Sequence, residues 1–111
     1  MKFEVIILGC GSATPTLFRN PTAQVVNVMG RHLLLDCGEG TQLQLRKSKI
    51  SFQKIDHIFI SHLHGDHYLG LVGLLSSFHL LGRTREIFVY APVGLKEIVM
   101  MQLKASGTYL N

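Results

Sequence analysis

Between Ser61 and Tyr68 the chain reads His62-Leu63-His64-Gly65-Asp66-His67, its densest run of groups able to hold a metal ion. Neutral imidazole nitrogens and carboxylate oxygens are the donors that zinc-like ions take up, at about 2.0–2.2 Å. In an extended loop, residues two apart project to the same side, so His62 and His64 can grip one ion. Asp66 and His67 follow the Gly65 bend, where the chain turns toward a helix, and can face a second ion. Two ions about 3.5–4 Å apart suit phosphoester hydrolysis, because they can bridge a hydroxide and clamp the displaced oxygens. At average usage of His and Asp, chance delivers this pattern in on the order of one chain of this length in 10⁴. A coincidental polar loop is the weaker reading.

The elements around this loop can be read from periodicity and turn residues. Phe3 to Leu8 is β-rich and ends at Gly9-Cys10-Gly11, which predicts a strand buried on both faces. A loop punctuated by Pro15 and Pro21 follows. Ala23 to Met29 and His32 to Asp36 read as two strands around a Gly30-Arg31 turn. Thr41-Gln42-Leu43-Gln44 matches a capping box and should start a short helix, with Arg46, Lys47 and Lys49 near its end. His57 to Ile60 is a short strand that runs into the histidine loop and delivers it at a strand's carboxyl end, the usual place for α/β sites. Tyr68 to Leu81 is apolar on all sides, as in a helix buried between layers, with Gly82 as its stop. Ile87 to Ala91 is a further strand, and Leu95, Ile98, Val99 and Leu103 make the stripe of a last helix. A β-meander followed by alternating helix and strand is an α/β layered domain.

Composition bounds the rest. The 111 residues and 12.4 kDa fit one domain, and 47% hydrophobic against 16% charged residues excludes disorder. No apolar run approaches the eighteen or so residues of a membrane span. A net charge of +4 and a pI near 9.3 permit an anionic partner such as RNA without demanding one. Two cysteines, Cys10 and Cys37, are too few for a secreted disulfide scaffold, which makes a reducing cytoplasm the expected compartment. Val5 to Cys10 imitates a short lipoprotein signal, but its apolar core is only four residues and Glu4 interrupts the approach.

Other candidates carry less chemistry. Gly9-x-Gly11 lacks the third glycine of a dinucleotide fingerprint, and Pro15 spoils the helix that should follow. His32, His57 and His79 fall in predicted strand or helix and read as packing or surface residues. Cys10 has no partnered base and reads as a small buried hydrophobe. The Arg46-Lys47-Lys49 cluster is better explained as a solvated helix end than as an RNA contact.

The histidine run resembles the signature of the metallo-β-lactamase superfamily, and its flanks narrow the match. Phe59-Ile60-Ser61 before it, Leu69-Gly70-Leu71-Val72-Gly73-Leu74-Leu75 after it, Leu34-Leu35-Asp36-Cys37-Gly38-Glu39-Gly40-Thr41-Gln42 and the opening Leu8-Gly9-Cys10-Gly11-Ser12-Ala13 are similar to one branch, ribonuclease Z. These are the tRNA 3′-processing endonucleases. The resemblance implies a four-layer αβ/βα sandwich, of which residues 1–111 supply about the N-terminal half, as part of a single domain. It implies that His62 and His64 bind one zinc, and that Asp66 and His67 bind the other. Asp66 would also handle the proton of the attacking water. Manganese can share such ligands.

Asp36 matches the family's buried aspartate, which supports the site from behind the ligands, and could cap the turn at Cys37-Gly38 as well or instead. Pro15-Thr16-Leu17-Phe18-Arg19-Asn20 falls where bacterial members carry Pro-x-Lys-x-Arg-Asn, a loop associated with the tRNA 3′ end. Leu17 here removes a phosphate-binding charge. Arg19 and Asn20 remain as RNA-binding candidates beside the plainer reading of a solvated turn. The implied partner is precursor tRNA, with no membrane and with a homodimeric, cytoplasmic parent. The remaining ligands would come from later sequence, since residues 83–111 hold no His, Asp or Cys. An N-terminal piece of a longer chain is the simplest account. Such a piece should expose one face of the 68–81 helix and self-associate.

Overall fold

The computed structural model describes residues 3–10 and 21–107. Five strands form one sheet in the order β1 (Phe3–Gly9), β2 (Ala23–Val28), β3 (Arg31–Leu35), β4 (Ile55–Phe59) and β5 (Phe88–Tyr90). The first three pair antiparallel as a meander, and β3–β4 and β4–β5 pair parallel. Three helices, α1 (Thr41–Lys47), α2 (Leu71–Leu80) and α3 (Leu95–Ala105), provide the connections and the cover.

Pleating divides the sheet into two unlike faces. Val25, Leu34, Ile55 and Ile58 point to one side and are fully buried against Leu45 of α1, Leu71 and Leu74 of α2, and Leu95 of α3. Truncating any of these leucines or isoleucines to alanine would cost about 2–5 kcal/mol. The register sets Val5, Val26, Leu33, His57 and Phe88 in one row across the other face, with Leu35, Phe59 and Tyr90 in a row beside it. Among the described residues nothing covers this face: Phe3, Val5 and Ile7 are 66%, 56% and 65% exposed. Phe59 stacks on Tyr90 with ring centroids 4.6 Å apart, and His57 on Phe88 at 5.3 Å.

This corrects two expectations. The first strand is a sheet edge with one bare apolar face, not a strand buried on both sides. The unpartnered apolar surface belongs chiefly to the sheet, since α2 buries Leu71, Leu74, Leu75 and Phe78 and begins only at Leu71. Residues Gly65–His67 ahead of it form a single 3₁₀ turn instead.

Local chemistry explains the smaller differences. The hairpin turn is Met29-Gly30, both with positive φ (53° and 81°), one residue earlier than expected. That conformation matches the twist of the flanking strands. Helix α1 starts at Thr41 as predicted, but without the capping box, because the Thr41 hydroxyl donates to the Gly38 carbonyl at 2.6 Å. Gly82 ends α2 as expected: its N–H donates to the His79 carbonyl and the Arg83 N–H to that of Phe78.

Candidate metal centre

Two loops at the carboxyl ends of neighbouring parallel strands build the site. One is Asp36-Cys37-Gly38 after β3, and the other is Ser61 to His67 after β4. The Asp36 N–H donates to the Phe59 carbonyl at 2.6 Å and carries the ladder one step past β3. The loops are then laced together, with Cys37 N–H donating to the His67 carbonyl at 2.8 Å and Gly70 N–H to the Cys37 carbonyl at 2.9 Å. A Cβ on Gly70 would stand 2.1 Å from the Gly38 carbonyl oxygen, so only glycine permits this approach.

Asp36 has φ +61°, a conformation aspartate tolerates better than most residues, and is 8% exposed. Its carboxylate reaches across to the second loop. Oδ1 accepts from the Ser61 N–H at 2.8 Å, both oxygens lie 3.0 Å from the Ser61 hydroxyl, and Oδ2 lies 3.0 Å from His67 Nδ1. These partners, rather than the local Cys37-Gly38 turn, are what Asp36 holds. His67 Nε2 is 3.5 Å from Asp66 Oδ2. The His62 ring lies 4.8 Å from that of His67 and 6.2 Å from that of His64, nearly parallel to the latter. His62 and His64 are exposed, as is Leu63 between them.

The donor chemistry of these side chains fits a divalent ion. With His67 Nδ1–H donated to Asp36, the lone pair of that ring sits on Nε2, the arrangement in which histidine ligates metals. Among the described residues no group of three His, Cys, Asp or Glu side chains is placed to hold an ion together. Cys37 contributes no thiolate. Burial pushes its thiol up to about 12, the neighbouring Asp36 charge adds to this, and the Thr41 hydrogen bond only partly opposes it.

Ser61, in sequence only a flank of the histidine run, touches Asp36, His62 and His67. A lone hydroxyl at the end of an apolar strand was the only signal. Cys10 is exposed, not the buried hydrophobe expected. His32 is buried at the start of β3, and burial, with Lys54 nearby, lowers it below the usual imidazole range, in line with packing. Arg19 and Asn20, like Leu17, lie outside the described residues.

Comparison with known proteins places this geometry. A family model described as Anti-Pycsar protein Apyc1 matches residues 3–108. Ribonuclease Z of Bacteroides fragilis is 56% identical over 102 residues, covering 92% of this chain and 34% of the relative. The crystal structure of human tRNase Z, short form, superposes with a TM-score of 0.91 at 44% identity, covering 96% of this chain and 41% of that one.

The chain belongs to the family of that model, is similar to the ribonucleases Z, and has the metallo-β-lactamase fold.

A diphosphatase of the PhnP family, with a TM-score of 0.72 at 23% identity over 96% of this chain and 48% of its own, shares the fold. The chain spans about a third of the length of the curated relatives it matches. The metallo-β-lactamase fold implies a metal cofactor. Among the described residues, no helix is long and apolar enough to cross a membrane.

Proposed function

We propose that this chain is the N-terminal part of a single metallo-β-lactamase-fold domain in a zinc-dependent endoribonuclease that removes the 3′ trailer of precursor tRNA. The observation that carries the reading is the 56% identity with a ribonuclease Z over 92% of the chain, a span that includes the histidine loop and the Asp36 loop. In this reading His62 and His64 hold one ion, and Asp66 and His67 hold the other, with manganese as a compatible alternative. Bound ions of this kind supply Lewis-acid activation of water and neutralise charge at the phosphate. Asp66, with its carboxylate half-buried beside His67, accepts the proton of the attacking water. Asp36 keeps the His67 ring in one orientation from behind. The other ligands come from sequence beyond Asn111, and the parent works in the cytoplasm as a homodimer. Arg19 and Asn20 are proposed as contacts to the RNA.

The test is elemental analysis of this chain and its His64→Ala variant after dialysis without chelator, joined to cleavage assays on a longer protein containing residues 1–111. Zinc lost on His64→Ala, with precursor tRNA cleaved far faster than a generic phosphodiester, supports the reading. Equal cleavage of both substrates favours a small-substrate phosphodiesterase or other hydrolase of the same fold. A second reading concerns the 111-residue chain by itself: the bare apolar sheet face favours an inactive half-domain that self-associates.

A further inference from the structure

The Ser61 hydroxyl sits between the carboxylate that anchors the site and a histidine on the far side of it. Its oxygen lies 3.0 Å from both Asp36 carboxylate oxygens, 2.9 Å from His62 Nδ1 and 3.3 Å from His67 Nδ1. Its own backbone N–H donates to Asp36 Oδ1 at 2.8 Å, which fixes where the side chain starts. We propose that Ser61 is a positioning residue: its hydroxyl, held by Asp36, fixes the His62 ring with Nδ1 inward and Nε2 turned out to receive a metal ion. The proposal rests on the metal-centre reading above.

A hydroxyl has one hydrogen to give and two lone pairs to offer, whereas an ionised carboxylate only accepts. The Ser61 hydrogen therefore goes to Asp36. The same oxygen can then hydrogen-bond His62 only as an acceptor, which requires the ring hydrogen on Nδ1. A neutral ring so protonated carries its lone pair on Nε2. His67 reaches the same tautomer directly, through Asp36 Oδ2. One carboxylate thus sets both rings, touching His67 itself and reaching His62 through Ser61. In the proposed assignment these two histidines serve different ions, so Ser61 ties the orientation of one ion's ligand to that of the other. Partners behind ligating histidines typically change metal affinity about 10- to 100-fold when removed.

The experiment compares the metal-free chain with its Ser61→Ala and Ser61→Thr variants by long-range ¹H–¹⁵N spectra of the histidine rings, recorded above the imidazole titration range. The expected result is Nδ1–H on both His62 and His67 in the parent and in Ser61→Thr. In Ser61→Ala, His62 alone should relax toward the Nε2–H form while His67 keeps its tautomer. Zinc affinity, read by competition with a chromophoric chelator, should fall about 10- to 100-fold in Ser61→Ala and stay near the parent value in Ser61→Thr. An unchanged His62 tautomer in Ser61→Ala overturns the proposal, as does loss of both tautomers together, which would make Ser61 a prop for the strand end only. A tautomer split with no zinc uptake by any variant supports the positioning role and overturns the metal reading instead.

Discussion

The Asp36 carboxylate lies 3.0 Å from Nδ1 of His67, a residue 31 positions further along the chain. The contact exists because β3 and β4 are parallel neighbours that deliver their following loops to the same edge. It holds a ring that the sequence marks as a ligand, and it does so with a group that also accepts the Ser61 N–H. Removing it should therefore harm two properties together. Asp36→Ala is expected to weaken zinc binding about 10- to 100-fold. It should also lower stability by about 2 kcal/mol, since the Ser61 N–H is left without its acceptor. Chelator competition and urea unfolding on the same preparation check the pair. Full stability with lost zinc would confine Asp36 to the ligands.

The histidine loop, as a candidate, was legible in sequence and the Asp36–Ser61–His67 lacing was not, for a physical reason. Residues 62–67 are contiguous, and alternation in an extended segment puts His62 and His64 on one side ahead of the Gly65 turn. Asp36 meets Ser61 only through strand order, which no local pattern encodes. The same limit explains β1. Phe3 to Leu8 is apolar at nearly every position, which reads as two buried faces, but only the face of Ile6 and Leu8 turns toward the helices. Periodicity can show that a face is apolar without showing what covers it. The hairpin turn slipped by one residue because Met29, at φ +53°, is not a residue type that advertises such a conformation.

The two cysteines should separate cleanly by reactivity. Cys37 is fully buried and its thiol is pushed up to about 12, foremost by burial, while Cys10 is exposed. A thiol reagent at neutral pH is expected to modify one cysteine in the native chain and two in denaturant, with Cys37 protected at the rate of unfolding. Rapid modification of both in the native state would mean that the Asp36-Cys37-Gly38 loop opens readily.

Arg83 is buried, and its guanidinium donates to Asp56 Oδ1 at 2.7 Å and to the Glu86 carbonyl at 2.9 Å. Arg85 also donates to Asp56. Burial acts to raise the Asp56 carboxyl, but the hydrogen bonds from Arg83 and Arg85 outweigh it and hold the group below its ordinary range. A depressed folded value means that the contribution is fully present above the unfolded value of about 3.9 and is lost as pH falls through the folded one. Asp56→Asn should cost about 1–2 kcal/mol at neutral pH. The gap between variant and parent should close in acid. Urea midpoints measured across that range check it, and a gap independent of pH would assign the loss to packing.

The bare sheet face sets the last expectation. Strands β1 to β5 present Val5, Val26, Leu33, Phe59, Phe88 and Tyr90 on one side, and the described residues offer nothing to lie against them. Contiguous apolar patches beyond a few hundred Å² mark interfaces or aggregation sites. In a longer chain the remainder of the domain would cover this face. In the 111-residue chain a second copy is the cover at hand, so sedimentation should show concentration-dependent association and a hydrophobic dye should bind. Replacing Val5 and Phe88 by glutamate places two charges in the same row without touching the buried side of the sheet. Association and dye binding should both fall, while the helical circular dichroism stays unchanged. A parent chain that sediments as a single monomer and binds no dye would show that the face is protected by other means.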